Sequence, residues 1–188
     1  MGHSALGEWL EKVEGLWKEH GKGARSFLEQ LDFFEQLSSQ FPTAPRRVVY
    51  AKAGTIPAAA ILLDEEAVVD HKLYWASVKT ETEARYLEAI LNSETARGKA
   101  EKWQSQGQWG AQDFDKVIFN LPIPSFDPKS ELHQALASAS LKAEKLAERV
   151  DVKEGEYFTR TRRRIRDALH ADGVANQIDK LVTRLLNT

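Results

Sequence analysis

The sequence predicts an α+β protein: a small mixed β-sheet covered by helices, with a helical segment before it and two long helices after it. Three observations carry this expectation. Residues 5–40 and 127–187 place their apolar side chains at steps of three and four, the period of an amphipathic helix. Between them, apolar residues follow one another in runs of strand length, cut by Gly54 and Pro57. Cysteine is absent from the 188 residues, which excludes disulfide staples, and 42% of the chain is apolar, enough for a packed core.

The elements follow in order. Leu6, Leu10, Val13 and Trp17 define a helix over residues 5–20, ended by Gly21-Lys22-Gly23. A second helix is expected from Ser26 to Ser38, with Ser26 and Glu29 as a capping box. Pro42 and Pro45 close this segment. Strands are expected at Arg47–Tyr50, Ala58–Leu63, Ala67–Asp70 and Leu73–Val78, and a further one at residues 117–120; runs apolar on successive residues predict a sheet covered on both faces. Thr80 caps a helix whose face is Ala84, Leu87, Ile90 and Leu91, with Asn92-Ser93 before a second helix-compatible stretch to Trp103. Leu121-Pro122-Ile123-Pro124 stops regular pairing. A long helix then runs from Lys129 to about Val150, with Leu132, Leu136, Ala139, Ala143, Leu146 and Val150 on one stripe. The last helix, Phe158–Leu186, is bent near Gly173. The resulting division is 5–40, 41–126 and 127–187.

Charge narrows the function classes. The net charge is −2, which argues against a protein that grips nucleic acid over its whole surface. Basic residues against acidic ones number 4 and 7 in residues 1–40, 10 and 11 in 41–126, and 12 and 10 in 127–188, so basic character gathers late. No run of about 18 apolar residues exists to span a bilayer, and the polar start shows no signal-peptide pattern. Together with the lack of cysteine, this leads us to expect a cytoplasmic protein without membrane partners.

No reaction centre is legible. Gly107-Gln108-Trp109-Gly110 lacks the third glycine of a dinucleotide loop, and no phosphate-cradling glycine loop followed by Lys and Ser/Thr occurs. His3, His20, His71, His133 and His170 never reach metal-binding spacing on one element. Asp70-His71 has the composition of half a general-base pair, but a link between two strands favours the same residues. Catalytic residues, metal and cofactor are therefore expected to be absent from this chain.

Two constellations fit binding. Arg160, Arg162, Arg163, Arg164 and Arg166 crowd one helix with Asp167 the sole acid among them. With Ile165, Ala168 and Leu169 facing inward, the guanidiniums of Arg160, Arg163, Arg164 and Arg166 would fan outward and match phosphate oxygens bidentately. Pairing with Glu144 and Glu148 on the preceding helix would consume them instead. The second constellation is the loop holding Gln104, Gln106, Gln108, Trp109 and Gln112. Glutamine can read adenine edges and an aromatic can stack; a loop folded on its own domain is the alternative, and it is the one expected for Trp103, as a core residue.

Several strings, in order, resemble a known family. They are Gln40-Phe41-Pro42, Arg47-Val48-Val49-Tyr50, Lys52-Ala53-Gly54-Thr55 and Val69-Asp70-His71-Lys72-Leu73-Tyr74-Trp75. Then come Ala84-Arg85-Tyr86-Leu87, Ile90-Leu91-Asn92-Ser93, Gly107 and Gly110, Phe114-Asp115-Lys116 and Leu121-Pro122-Ile123-Pro124. Over about residues 40–186 the chain resembles the C-terminal, target-recognition-like region of large N6-adenine DNA methyltransferases of restriction–modification type. That family transfers methyl groups with an Asn-Pro-Pro-Tyr/Phe-type motif and a glycine-rich S-adenosylmethionine loop, and neither string occurs here.

The resemblance implies a non-catalytic DNA-recognition module. Its partners would be DNA and a catalytic methyltransferase domain of the same polypeptide, and S-adenosylmethionine would bind to that domain. Loops of residues 41–126 would read the target and the later helices would orient them. The alternative is a scaffold that docks the catalytic domain or a partner protein through the N-terminal helices and the Leu132–Val150 stripe.

Overall fold

The computed structural model describes residues 4–52, 58–104, 106–107, 110–111 and 116–187, leaving aside the side chains of residues 106, 107, 110 and 111. The architecture is α+β, and the chain divides into two compact units.

The first unit comprises residues up to Thr43 together with Ala67–His71. It holds α1 (Ser4–His20) and α2 (Phe27–Leu31). Gly21 follows the end of α1; its N–H still meets the Trp17 carbonyl at 2.7 Å, and a Cβ there would come within 2.4 Å of that oxygen. Trp17 donates from Nε1 to the Arg25 carbonyl (2.9 Å) and leans on Phe27. The capping box at Ser26 forms as predicted: Glu29 N–H donates to Ser26 Oγ, and Ser26 N–H to Glu29 Oε2 at 2.7 Å.

The helix stops at Leu31 rather than Ser38. Asp32 takes the Leu37 and Ser38 N–H groups on its carboxylate (2.8 and 3.1 Å), and Phe34 and Glu35 adopt φ of 55° and 56°. A short acidic side chain that serves the backbone in this way competes with the helix. The expected strand at Ala67–Asp70 is absent. Buried Gln40 supplies the pairing instead: its carboxamide donates to the Val69 carbonyl and accepts from the Val69 N–H, both at 2.8 Å.

The second unit comprises residues 44–66 and 72–188. Its three-stranded sheet is made of β1 (Arg47–Ala51), β2 (Ala59–Leu62) and β3 (Leu73–Ser77), in the order β2-β1-β3. Both pairings are antiparallel, so the sheet is not mixed as expected. The short link from Ala51 to Ala59 favours an antiparallel return from β1 to β2, since a parallel one needs a long crossover. Val48, Tyr50, Ile61 and Tyr74 share the face that packs on the core, whereas Trp75 is exposed; helices cover one face, not both.

Residues 117–120 also differ from the expected strand. They form a 3-10 turn, not a strand, with Ile118 fully buried and the Phe119 ring edge-on to Tyr50 and Tyr74 at 5.5 and 5.4 Å. Four apolar residues are too few for their period to separate strand from helical turn.

The helices of this unit are α3 (Glu81–Leu91), α4 (Glu94–Ala100), α5 (Glu131–Ala147), α6 (Phe158–Asp172) and α7 (Val174–Leu185), with a small ribbon of β4 (Gln106–Gly107) and β5 (Gly110–Ala111) before α5. Thr80 caps α3 through the Glu83 N–H, and the Glu83 carboxylate takes the Lys79 N–H at 2.7 Å. Ser93 caps α4 and Ser130 caps α5. Helix α3 lies along α5, which also meets α7. One core therefore runs from Val48 and Tyr50 through Tyr86, Ile90 and Leu136 to Val182 and Leu185. Buried apolar area of this extent is the main stabilising term for the unit.

Polar ties between helices are specific. Arg85 joins Glu81 on its own helix and Glu144 on α5 (2.6 Å), and Ser140 donates to Glu88 at 2.6 Å. Burial, with the Ser140 bond opposing it, keeps the Glu88 carboxyl above its ordinary range. His133 is buried between Tyr86 and Phe126, and its Nδ1 accepts the Asp127 N–H at 2.9 Å. No described helix is long and apolar enough to cross a membrane.

Candidate nucleic-acid interface

Helix α6 carries five arginines against Asp167 and Asp172 and contains no buried residue. Its apolar stripe is thin, with Leu169 packed against the core, and polar ties to its neighbours add to it. Lys142 of α5 pairs with Asp172 at its C-terminal end. At the N-terminal end the hub is Glu156. Its Oε2 accepts from Thr161 Oγ1 at 2.8 Å and from Arg164 Nη2 at 2.5 Å, and Arg164 also donates to the Asp151 carbonyl at 2.7 Å. The Thr161 hydroxyl, ahead of Arg164, holds the Glu156 carboxyl below the usual carboxylate range. Arg164 is thus spent on anchoring the helix start.

The remaining four arginines divide. Arg160 and Arg163 are exposed. Arg162 and Arg166 are half-buried and, with His170, line one wall of a cavity of about 450 Å³ between α6, β2, α3, α5 and α7. The expected outward fan of Arg160, Arg163, Arg164 and Arg166 is therefore corrected: Arg164 turns to its own loop, and Arg166, with Arg162 one turn before it, turns toward the cavity because Ile165 and Leu169 hold that side of the helix inward. Among the described residues, no side chain of Arg160, Arg162, Arg163 or Arg166 forms an ion pair or hydrogen bond. Glu144, one acid able to neutralise them, is taken by Arg85, and Glu148 forms no ion pair with α6.

The glutamine loop is less complete. Gln104 ends the 3-10 turn Glu101–Trp103, its N–H on the Glu101 carbonyl at 3.0 Å, and its side chain is buried, which withdraws it from any base edge. The side chain of Gln106, and residues Gln108, Trp109 and Gln112, lie outside the described residues. Trp103 was expected in the core; it is 40% exposed, with Lys102 Nζ 4.2 Å from its ring centroid. A turn too short to insert the indole leaves it to the ammonium, a cation–π arrangement.

Asp70 and His71 are joined to each other at 3.0 Å and are both exposed, and among the described residues no further acid or base meets the ring. Among the described residues, no group of three or more His, Asp or Glu side chains is placed to hold a metal ion. What sequence reasoning missed is the anchoring role of Glu156 and Thr161. The spacing Glu156, Arg160, Arg164 was a legible signal, but which arginine the acid would take depends on the turn at Gly155 (φ 73°). No family model matches this chain, and no curated protein matches it.

Proposed function

We propose that this chain is a non-catalytic DNA-recognition module of an adenine-N6 DNA methyltransferase, acting in the cytoplasm beside a catalytic domain of the same polypeptide that binds S-adenosylmethionine. The observation that carries the reading is the state of α6. Its arginines are brought together on a helix whose start is locked by Arg164, and four guanidiniums remain uncommitted. Such groups suit phosphate oxygens, which fix register on a duplex without reading sequence. The resemblance of residues 40–186 supplies the methyltransferase part of the proposal.

The experiment is duplex binding measured across salt. Affinity should be present at low salt and fall linearly in log–log form as salt rises. Absent or salt-independent binding rejects the reading.

One observation favours the second reading, a docking scaffold for the catalytic domain. No residue of α1 is buried, and Leu6, Trp9 and Leu16, all about half exposed, share one side by helical spacing. Replacing these three by Ser should abolish co-elution with a separately expressed catalytic domain while leaving duplex affinity unchanged. Retained co-elution rejects docking through α1.

A further inference from the structure

The two edges of the three-stranded sheet are finished differently. At the β2 edge, the Asn92 carboxamide accepts from the Ala59 N–H and donates to the Ala59 carbonyl. At the β3 edge, no described residue pairs on the outer side. The register fixes which groups face outward. Val78 N–H donates to the Arg46 carbonyl and Lys52 N–H to the Lys72 carbonyl, so by antiparallel alternation Tyr74 and Ala76 bond to β1. Leu73, Trp75 and Ser77 then direct their N–H and C=O groups away from the sheet. The strand holds neither charge nor proline, the usual devices that blunt an edge.

A groove of about 910 Å³ lies on the same flank, lined by Tyr74, Leu87, Phe119, Ile123 and Phe126 among others. Tyr74 and Ala76 share the sheet face of Val48 and Tyr50, which also line it. A strand added to β3 would therefore place every second side chain in the groove and the others against Trp75, which is 38% exposed. A lysine stands near each end of the edge. Lys79 is exposed and forms no ion pair among the described residues, while Glu83, the carboxylate lining the groove, is held by the Lys79 N–H. Lys52 sits 4.4 Å over the Tyr74 ring at the other end.

We infer that β3 is a strand-addition site for an extended peptide with apolar side chains at alternate positions and acidic residues at its ends. Outward backbone donors and acceptors in alternation are matched by a peptide backbone, which favours a peptide over a nucleic acid. This inference is independent of α6.

The test uses the full chain and the synthetic peptide Glu-Val-Thr-Val-Thr-Val-Glu, read by amide hydrogen exchange and by titration. The peptide should slow exchange at Leu73, Trp75 and Ser77. N-methylation of its two Thr residues, which face those amides, should weaken binding by roughly tenfold or more as two hydrogen bonds are lost. Lys79→Glu should weaken binding by roughly threefold, and a peptide ending in Lys should reverse the loss. Equal affinity of the methylated peptide overturns the inference. So does unchanged exchange at the three amides, or their protection by a ten-residue oligothymidylate in place of the peptide.

Discussion

Asn92 closes the outer edge of β2 by giving both ends of its carboxamide to Ala59: Oδ1 accepts the Ala59 N–H and Nδ2 donates to the Ala59 carbonyl, each at 2.9 Å. The side chain stands in for one residue of a neighbouring strand. Asn92 is also the C-cap of α3, its own N–H on the Glu88 carbonyl at 3.0 Å, so one residue ties the helix end to the sheet edge. Asn92→Ala should lower unfolding free energy by about 1 to 2 kcal/mol, measured by urea titration, and should speed exchange of the Ala59 amide. Unchanged exchange at Ala59 would show that the edge is held otherwise.

The arginines of α6 should separate by role. Arg160→Ala with Arg163→Ala should reduce the salt slope of duplex binding by about one for each phosphate left without its guanidinium, with stability nearly unchanged. Arg164→Ala should instead lower the denaturation midpoint, because the Asp151 carbonyl loses this donor and Glu156 keeps only Thr161. Parallel salt series and denaturant curves on the variants decide this. Equal slopes for the double variant and the parent protein would remove Arg160 and Arg163 from the interface.

Tyr86 gives a pH dependence with a defined sign. Its hydroxyl donates to the Pro124 carbonyl at 2.8 Å, and burial pushes its pKa up to about 12 from an ordinary value of 10.0. Between those values the folded state keeps a proton that the unfolded chain has released, so stability falls as pH rises through that window. Tyr86→Phe should lose about 1 kcal/mol at neutral pH with the hydrogen bond, yet show a shallower loss from pH 10 upward. Denaturation midpoints of the two proteins across pH test both halves.

Gly173 joins α6 to α7 at φ 88°, and a Cβ built there meets nothing within 4 Å. The cost of a side chain is therefore conformational rather than a clash with neighbours. Gly173→Ala should destabilise by about 1 kcal/mol, lowering the melting temperature by roughly 2 to 4 °C without altering the helices on either side. Calorimetry with circular dichroism would check this.

Local chemistry was legible wherever neighbours in sequence are also partners in space. The capping box of Ser26 and Glu29, the cap at Thr80, the two long helical regions after Ser130 and the bend at Gly173 all depend on residues close to one another along the chain. The antiparallel sense of the sheet, the 3-10 turn at Val117–Asn120 and the early end of α2 at Leu31 were not legible. Each depends on a partner that pattern alone does not supply: a return connection, the rings of Tyr50 and Tyr74, and the carboxylate of Asp32. In the candidate interface, the concentration of arginine on one helix could be read directly. Which of the five would be spent could not, because Glu156 reaches Arg164 through a turn and Glu144 is drawn off by Arg85 from another helix.

By itself the sequence determined the fold class, most helix starts and the charge on α6, since periodicity, capping and composition act over a few residues. The tertiary structure decided the sheet edges and the division of the arginines. Those outcomes turn on competition between distant groups for the same hydrogen bonds, and only folding brings Asn92 to Ala59 or Arg85 to Glu144.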